Sequence, residues 1–558
     1  MEISISRNTA ILTASGIQFL RLKTDVVNRL GNKVKASKDS IEIPISTLPL
    51  ITDLLDVNIL NTEEVQSVFQ QFVRHGEARE LALNIVENGM IQGIPQYWTE
   101  TLDPAQATAV SAMILPDILG ICLFDEQGSG KTVMSIASFD ILHDEGAIDA
   151  MIVICPKSMV TEWPKDINRF TGEKYRVITA DGDREQKYNS AFSHFDIIVT
   201  NYEGVEVMLT PLIAVSERKR FLIVVDESFY LKNDEAVRSV NTQRLRMHCA
   251  RSFVLCGTPA PNSAHDLINQ FDLADLGYTF GGFSKSNDPT QDYNAIADLI
   301  ETRGLFIRRL KTDILQAVPD KNFHVISIDL SGRQREMYEN ARNALVIELQ
   351  RLDNTTFRRN LATYFQRRAA LLQICSCPTM VDPTFPEIPA KYSALDTLLN
   401  NLFAQGRKVL VWSFFTKCLD EIQQRYNHIP TVRVDGTVPV SDRKNAVIAF
   451  QTYPEVLLFL GNPAAAGAGI TLHAAYDAVY VSYSNQAAHY LQSLDRIHRR
   501  GQVSNIVNYY LFVCNGTIEQ TEMLRLREKE VRQQNLLGDQ IQWPTSLDDA
   551  LNELTADV

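Results

Sequence analysis

Residues 125–132 carry the residue types most indicative of chemistry, in the order Asp-Glu-Gln-Gly-Ser-Gly-Lys-Thr. They follow the short apolar run 121–124 and precede an apolar stretch that we expect to be helical, which is the strand–loop–helix context of a phosphate-binding loop. The glycines let backbone N–H groups turn towards phosphate oxygens, and the helix N-terminus adds a favourable dipole. Lys131 would place its charge at the β- and γ-phosphates, and the Thr132 hydroxyl suits Mg²⁺. Asp125 stands where the strict pattern has glycine.

Two adjacent carboxylates follow the apolar run 221–225. Asp226 and Glu227 would lie at the carboxyl edge of a parallel sheet, where such folds bind ligands. We expect Asp226 to hold Mg²⁺, directly or through water, and Glu227 to orient and deprotonate the attacking water. A solvated acidic turn is the alternative for an isolated Asp-Glu pair, but the position downstream of a phosphate loop favours the catalytic interpretation.

Arginines that could complete such a site lie in residues 492–502. Arg496 and Arg499 are three residues apart, which predicts that they share one face of a helix. A guanidinium supplied by a second lobe stabilises the charge on a transferred phosphoryl group, with a rate effect of ~10³–10⁵. In isolation, the same spacing is also typical of a solvated basic helix.

The elements that must position these residues are short apolar runs alternating with helical stretches. Such runs suit strands buried on both faces by crossover helices, so the sequence predicts an α/β fold with two parallel-sheet lobes. An Arg-rich helical insertion joins the lobes, and a small N-terminal α+β module with alternating apolar residues precedes them. The predicted boundaries are 1–95 for the N-terminal module, 96–325 for lobe one, 326–390 for the insertion, 391–537 for lobe two and 538–558 for an acidic, loosely held tail.

The composition is that of a globular protein, with 45% hydrophobic and 22% charged residues. The net charge of −13 excludes a uniformly basic coat for nucleic acid but allows a local basic groove. We find no apolar run long enough to cross a membrane and no secretory signal at the N-terminus. The eight cysteines are scattered, and the Cys375 and Cys377 pair has no second pair to complete a zinc site, so we expect packed thiols in a reduced, soluble, intracellular protein.

Together these motifs resemble the Swi/Snf-type ATPases, a branch of the superfamily-two helicases, over residues 102 to 519. Each match is modest, but the complete ordered series is specific. The family form of motif I also begins Asp-Glu, which accounts for Asp125. The matching segments are the adenine-contacting element 102–106, motif I 125–132, motif Ia 155–163, motif Ib 196–203, motif II 226–233, motif III 255–262, the Arg-Arg-x-Lys-x-Asp segment 306–314, a second marker 371–378, motif IV 409–416, the following element 434–443, motif V 466–472 and motif VI 492–502.

The resemblance implies two RecA-like lobes and an ATP hydrolase that uses ATP and Mg²⁺. It assigns catalysis to Lys131, Asp226, Glu227, Arg496 and Arg499, and metal binding to Thr132 and Asp226. The residues that it assigns to ATP binding are Gln106, Asp125, Glu126, Gln127, Gly128, Ser129, Gly130, Lys131 and Thr132. One departure is Phe229, which stands where motif II usually has His and lacks the polar contacts that help link nucleotide state to the rest of the motor.

A motor that moves along any sequence must hold DNA by its backbone, and hydroxyls and amides do so without much net charge. The alternative for each hydroxyl is a local cap or turn bond. By resemblance the contacts are Lys157, Ser158, Thr200, Asn201, Ser413, Thr437 and Thr471. Further basic elements near a duplex, or equally solvated helix faces and inter-lobe ion pairs, are Arg308, Arg309, Lys311, Arg358, Arg359, Arg367 and Arg368.

The leading hypothesis is an ATP-dependent translocase on double-stranded DNA that remodels DNA structures or protein–DNA complexes. A fork-regressing, annealing or strand-separating helicase is the second hypothesis, and a nucleotide-gated DNA-binding protein with little turnover is the third. We expect a monomer whose partners are duplex or branched DNA and DNA-bound proteins, with no membrane. The expected location is the cytoplasm of a prokaryotic or viral host cell, or the nucleus of a eukaryote.

Overall fold

The computed structural model describes residues 2–6, 9–14, 16–30, 34–260, 263–286, 288–310, 319–330, 332–466, 470–483, 487–499, 502–531 and 546–555. The chain divides into two compact units, Met1–Ile314 and Leu315–Val558. Each unit is built around its own parallel sheet, as the sequence predicts. Within the described residues, no helix is both long and apolar enough to cross a membrane.

The N-terminal residues form a small antiparallel sheet with strands in the order Glu2–Ser6, Thr9–Thr13, Ser40–Pro44 and Lys35–Ala36. Its apolar positions, among them Ile41 and Ile43, are buried and confirm the predicted alternation. The helices of this part are Ile17–Leu30, Val57–Leu60 and Glu63–Glu87, with a 3-10 helix Ile45–Leu54.

The N-terminal part is continuous with lobe one, in contrast to the predicted separate module. Arg79 of the helix Glu63–Glu87 donates to the carbonyl oxygens of Gly304, at 2.9 Å, and Glu301, at 2.6 Å. Ala82 and Ile85 of the same helix lie in the apolar core of lobe one. The helix spans both parts because its C-terminal half packs into the lobe-one core.

The lobe-one sheet has seven parallel strands, and the strands formed by the apolar runs 121–124 and 221–225 lie in it. The five central strands are completely buried because helices cover both faces, whereas the edge strand Val177–Thr179 is only partly buried. In sheet order they are Phe306–Ile307, Gly120–Leu123, Arg251–Leu255, Phe221–Asp226, Ala150–Cys155, Ile197–Asn201 and Val177–Thr179.

The helices of lobe one connect successive strands. They are Gln96–Thr101, Pro104–Met113, Lys131–Asp144, Trp163–Thr171, Arg184–Ser190, Tyr202–Ser216, Val237–Arg246, Ile268–Asp275 and Pro289–Arg303, with 3-10 helices Lys157–Met159, Ser228–Leu231 and Ala264–Leu267.

The second unit holds a six-stranded parallel sheet. Its edge strand Asp320–Ile328 was not predicted as a strand and crosses the predicted boundary at 325/326. It pairs along its whole length with the last strand, so the insertion that follows belongs to this unit. In sheet order the strands are Asp320–Ile328, Ile506–Cys514, Asp477–Tyr480, Val409–Trp412, Leu458–Gly461 and Thr431–Val434.

Helices Ala390–Ala404, Thr416–Arg425, Val440–Thr452, Ala487–Leu494 and Ile518–Val531 flank this sheet. The predicted helical insertion is present as Gly332–Leu349, Asn354–Arg359 and Leu361–Ser376, followed by a 3-10 helix Pro378–Met380. All eight cysteines are free and buried, so the Cys375 and Cys377 pair consists of packed thiols as expected.

The C-terminal residues differ from the predicted loose tail. Residues Leu547–Thr555 form a helix whose Ala550 and Leu554 side chains are buried in the apolar core of the insertion. Glu553 on the same helix forms an ion pair with Arg368 at 2.8 Å. The acidic composition of residues 538–558 predicted that the segment is exposed. The buried carboxylate of Glu553, paired with Arg368, instead anchors the helix to the insertion.

Candidate active site

The phosphate loop joins the strand Gly120–Leu123 to the helix Lys131–Asp144, in the order that the sequence predicts. Gly128 and Gly130 have φ values of 86° and 90°, a backbone region that favours glycine. The Lys131 ammonium donates to the carbonyl oxygen of Asp125 at 2.7 Å and to that of Glu126 at 3.3 Å. The lysine therefore spans the loop, where a polyphosphate would meet its charge.

Gln106 closes the same loop from the side. Its Nε2 donates to the carbonyl oxygen of Ser129 at 2.9 Å, and its Oε1 accepts from the Asp103 N–H at 3.1 Å. A Cβ atom on Gly130 would lie 2.3 Å from this Nε2, so the close approach requires glycine. The Ser129 hydroxyl is buried and has no hydrogen-bond partner among the described residues. A donor of this kind inside a glycine loop fits a phosphate oxygen.

The side chain of Asp125 is engaged within the protein. Its carboxylate is fully buried and accepts from Arg309 at 2.5 Å and 3.1 Å. The side chain is therefore held by Arg309, and Asp125 presents its carbonyl oxygen to Lys131. The assignment of Asp125 to ATP binding therefore rests on its backbone and stays a prediction.

The two carboxylates of motif II lie at the end of the strand Phe221–Asp226, as predicted. Asp226 Oδ2 accepts from the Trp163 indole N–H at 2.9 Å. Burial raises the pKa of Asp226, although the Trp163 hydrogen bond and the positive charge of Lys131 act in the opposite direction. A cation beside this carboxylate would relieve the cost of burying its charge.

Glu227 is held in an unusual backbone conformation, with φ of 54°. The Tyr202 hydroxyl donates to the carbonyl oxygens of Asp226 and of Glu227, the latter at 3.1 Å. The Gln127 side-chain amide donates to Glu227 Oε1 at 3.2 Å. Contacts from motifs I and Ib thus orient the predicted base from two directions.

The donor set of this region fits a magnesium–nucleotide complex. Thr132 supplies a hydroxyl in the first turn of the loop helix, and Asp226 supplies a carboxylate at the strand end. Oxygen atoms of these two kinds are the ligands that Mg²⁺ prefers when it is bound through few protein groups. Thr132 and Asp226 are therefore the residues that would hold the ion.

In the second unit, Arg496 and Arg499 converge on one carbonyl group. Arg496 donates to the Ile470 oxygen at 2.9 Å, and Arg499 donates to the same oxygen at 3.3 Å and to Thr471 Oγ1 at 2.7 Å. The predicted helix is wrong here, because the helix Ala487–Leu494 ends before both residues and a series of turns follows. Burial lowers the pKa of Arg499.

Two protein-family models match the chain. The model of the SNF2-related domain matches residues 31–380, and that of the helicase conserved C-terminal domain matches residues 390–501. The chain belongs to the SNF2-related family. The first match begins inside the N-terminal part, in agreement with the continuity of that part with lobe one.

Curated relatives of this SNF2-family chain include the ISWI chromatin-remodeling complex ATPase ISW1 of Saccharomyces cerevisiae, 27% identical over 477 residues, which are 79% of this chain and 41% of the relative. Another is the human SWI/SNF-related matrix-associated actin-dependent regulator of chromatin subfamily A member 1, 28% identical over 432 residues, with 71% and 40% covered. The chain spans about two fifths of the length of these two relatives. A solved structure with similarity is the Sulfolobus solfataricus SWI2/SNF2 ATPase core in complex with dsDNA, 22% identical, with 82% of this chain and 95% of that chain covered and a TM-score of 0.36.

The predicted DNA contacts of the SNF2-family chain fall into two groups. Lys157 and Ser158 are exposed on a 3-10 helix that follows the strand Ala150–Cys155, and Thr437 is exposed with its hydroxyl bonded to Asp435 at 2.6 Å. These three stay predictions.

The other four predicted contacts have side chains that are buried or hydrogen-bonded within the protein. Thr200 and Ser413 are fully buried, which contradicts a direct role of their hydroxyls in phosphate binding. Asn201 caps the helix Tyr202–Ser216 by accepting from the Gly204 N–H at 3.1 Å. Thr471 accepts from Arg499. For Ser413, Asn201 and Thr471, hydrogen bonds within the protein describe the structure. The Thr200 hydroxyl, in contrast, is buried without a hydrogen-bond partner among the described residues.

The predicted basic elements also fall into two groups, one bonded within the protein and one exposed. Arg308 donates to the Phe124 carbonyl oxygen at 2.8 Å, and Arg309 binds Asp125, so both stabilise motif I. Arg368 is buried in ion pairs, whereas Arg367 is half exposed beside Glu348. Arg358 and Arg359 are exposed. Lys311 and the other motif residues at 261–262, 312–314, 467–469 and 500–501 lie outside the described residues.

Three residues of this SNF2-family site had no predicted role. Trp163 and Tyr202 lie in the segments that resemble motifs Ia and Ib, and Gln270 lies beyond motif III. The polar groups of Trp163 and Tyr202 were a usable signal, because an indole N–H or a phenol hydroxyl needs a partner when it is buried. Gln270 carried no signal, since a single glutamine in a helix is ordinarily a surface residue.

Proposed function

We propose that this chain is an ATP-dependent translocase on double-stranded DNA, which uses ATP hydrolysis to remodel DNA structures or protein–DNA complexes. The observation that carries the proposal is the arrangement of Lys131, Asp226 and Glu227 at one edge of the lobe-one sheet. Membership of the SNF2-related family supports it. By the family resemblance, Arg496 and Arg499 of the second unit would contribute to the same reaction.

In the proposed reaction, Glu227 accepts a proton from water as the water oxygen forms a bond to the γ-phosphorus. The bond from that phosphorus to the bridging oxygen breaks, and ADP leaves with the electron pair. Mg²⁺, when bound, neutralises charge on the β- and γ-oxygens. Lys131 stabilises the same oxygens, and Arg496 and Arg499 would stabilise the charge that spreads over the transferred group.

Translocation requires that the two units grip the DNA backbone alternately as nucleotide binds and leaves. Lys157 and Ser158 are the exposed lobe-one candidates for this grip. Backbone contacts of this kind carry no base specificity and depend strongly on salt. The substrate would therefore be DNA of any sequence, as linear duplex, branched duplex or DNA carrying bound protein.

The first test is the ATPase rate with linear duplex, forked duplex, single-stranded DNA and no DNA. We expect stimulation by duplex, together with displacement of a third strand from a triplex and no separation of the duplex itself. Strand displacement or fork regression in place of this would favour the helicase alternative. Absence of stimulation by every nucleic acid would contradict the proposal.

The second test is Glu227→Gln, which removes the proposed base and keeps the size of the side chain. We expect turnover to fall by about 10²–10⁴-fold while ATP and DNA still bind. A fully active variant would exclude Glu227 as the base. Phe229 favours the nucleotide-gated binding protein as a second candidate, and tight DNA binding with negligible wild-type hydrolysis would support it.

A further inference from the structure

A buried glutamine joins motif II to motif III. The Ser228 hydroxyl, directly after the two motif II carboxylates, donates to Gln270 Oε1 at 2.6 Å. Gln270 lies in the first turn of the helix Ile268–Asp275, and both its side chain and Ser228 are fully buried. Ser228 and Gln270 are 42 residues apart in the sequence and meet in the interior of lobe one.

The oxygen and both N–H groups of the Gln270 side-chain amide have hydrogen-bond partners. Its Nε2 donates one hydrogen bond to the Pro259 carbonyl oxygen at 2.6 Å and another to the Asp266 carbonyl oxygen at 2.7 Å. Since both of these partners can only accept, the orientation of the amide is determined, and Oε1 must face Ser228. Pro259 lies within motif III, so the glutamine connects the two motifs through one rigid group.

Two further observations show that motif III is poised on the site. A Cβ atom on Gly257 would lie 2.4 Å from the Cγ atom of Gln127, so motif III packs directly on the phosphate loop. The neighbouring Thr258 hydroxyl is buried without a hydrogen-bond partner among the residues described. Leaving a buried hydroxyl unpaired is costly, so a shift of this segment that gives Thr258 a partner would be favourable.

The residue after Ser228 is Phe229, which cannot make a polar contact between motifs II and III through its side chain. The Phe229 side chain has no polar atom and stacks on Tyr230, with ring centroids 4.4 Å apart. It therefore cannot provide a side-chain hydrogen bond between the motifs. Ser228, one residue earlier, points into the protein and makes the polar contact through Gln270.

We propose that Gln270 is a positioning residue that transmits the nucleotide state of Asp226 and Glu227 to motif III, in place of a polar side chain at position 229. The proposal rests on the proposed ATPase function of the same site. A buried network whose members are all satisfied cannot lose one bond without leaving a polar group unpaired, so Ser228, Gln270 and Pro259 move together. We call the connection from Ser228 through Gln270 to Pro259 the bridge. DNA stimulation of hydrolysis then depends on the bridge, whereas nucleotide binding does not.

The test uses the full chain with Gln270→Leu, Gln270→Glu and Ser228→Ala. Gln270→Glu keeps the size of the side chain but places a carboxylate oxygen against the Pro259 and Asp266 carbonyls. The matched control is Gln243→Leu, because Gln243 also donates to the helix Ile268–Asp275, at Asn269 Oδ1, but contacts neither motif by its side-chain hydrogen bonds. Thermal melting checks that every variant is folded.

The primary readout is hydrogen exchange of residues 256–260 with Mg–ADP and with a non-hydrolysable ATP analogue. In the wild type and in Gln243→Leu, we expect the protection of these residues to differ between the two nucleotides. In the Gln270 and Ser228 variants we expect this difference in protection to disappear. The nucleotide affinity of these variants should stay within about twofold of the wild-type value. The secondary readout is the ratio of DNA-stimulated to basal hydrolysis, which we expect to fall by about tenfold in these variants.

The outcomes separate the bridge from the proposed function. Because Gln270→Leu and Ser228→Ala break the same connection, the double variant should be no worse than the more severe single variant, whereas additive losses would indicate independent structural effects. Equal exchange of residues 256–260 in both nucleotides in the wild type, or a nucleotide response retained in Gln270→Leu, would overturn the bridge. A nucleotide response without DNA stimulation would overturn the translocase function and leave the bridge supported.

Discussion

The carboxylate of Asp125 and the guanidinium of Arg309, 184 residues apart in the chain, form a buried ion pair at the base of the phosphate loop. Arg309 also donates to the Ala105 carbonyl oxygen at 2.6 Å, and its own carbonyl oxygen accepts from the Glu126 N–H at 3.1 Å. The segment after the edge strand Phe306–Ile307 therefore holds both the phosphate loop and the start of the helix Pro104–Met113.

We predict that Arg309→Ala destabilises lobe one by about 3–5 kcal/mol, because it leaves the Asp125 charge buried without its partner. Urea unfolding measures the loss, and nucleotide affinity should fall with it because the loop is no longer held. The double variant Asp125→Asn with Arg309→Met removes both charges and should cost less than Arg309→Ala.

The control for this pair is Arg220→Ala. Arg220 pairs with Asp149 in the same lobe, but the two side chains are 54% and 36% exposed. Its loss should cost only about 0–1 kcal/mol. Equal effects of Arg309→Ala and Arg220→Ala would show that burial of Asp125 has no energetic consequence.

Tyr202→Phe tests the support of the proposed base. The variant loses the hydroxyl that donates to the Asp226 and Glu227 carbonyl oxygens, so the left-handed conformation at Glu227 is less well held. Burial raises the pKa of Tyr202 well above its usual range, which keeps the hydroxyl protonated as a donor. We expect kcat for ATP hydrolysis to fall about tenfold with little change in KM.

Tyr188→Phe provides the comparison, since Tyr188 is exposed on the helix Arg184–Ser190 of the same lobe. It should leave steady-state hydrolysis unaltered. A rise in KM with unchanged kcat in Tyr202→Phe would indicate a binding role for Tyr202 and would count against its support of Glu227.

Lys157→Ala tests the exposed candidate for a phosphate contact. We expect weaker DNA binding and a reduction of about one in the slope of log K against log salt concentration. The comparison is Lys35→Ala, on the small N-terminal sheet, which should leave the slope unchanged. Ser413→Ala should also leave it unchanged, because Ser413 is fully buried. A larger effect of Ser413→Ala than of Lys157→Ala would contradict this division of the contacts.

Glu553→Gln tests the anchor of the C-terminal helix. Glu553 contacts Arg368 at 2.8 Å and Arg525 at 2.5 Å, and accepts from the Tyr364 hydroxyl at 2.8 Å. Since the pairs are buried, we expect a loss of about 3 kcal/mol, measured by urea unfolding and by faster hydrogen exchange in the helix Leu361–Ser376. Asp548→Asn on the exposed face of the same C-terminal helix should have almost no effect.

The same carboxylate predicts a dependence on pH. Burial acts to raise the pKa of Glu553, but the hydrogen bonds and charges of Arg368 and Arg525 outweigh it and hold the pKa below its ordinary value of 4.5. A carboxyl group with a lowered pKa stabilises the fold above its ordinary pKa, and the contribution is lost as the pH falls through the folded value. The stability difference between wild type and Glu553→Gln should thus be constant near neutral pH and narrow below about pH 4.5. A difference that widens on acidification would contradict the ion pair.

Local patterns predicted much of the site and the central strands. A glycine loop between a buried strand and a helix is defined by adjacent residues, so Lys131 and Thr132 could be placed from the sequence. The apolar run at 221–225 is likewise a buried strand because parallel sheets are covered on both faces. The N-terminal boundary was wrong because the helix Glu63–Glu87 is periodic along its whole length, and periodicity does not identify the surface that it covers.

Sequence patterns were sufficient to predict the two-lobe architecture, the phosphate loop and the motif II carboxylates, since each follows from residues close together in the chain. The pairing of Asp125 with Arg309, the contact of Ser228 with Gln270 and the anchoring of the last helix by Glu553 became apparent only in the folded protein. Those partners are brought together by chain crossings between distant segments, and neither hydrophobic period nor motif spacing encodes which buried polar groups will meet. Burial and hydrogen-bond satisfaction are properties of the assembled interior, so they become visible only when the elements have packed.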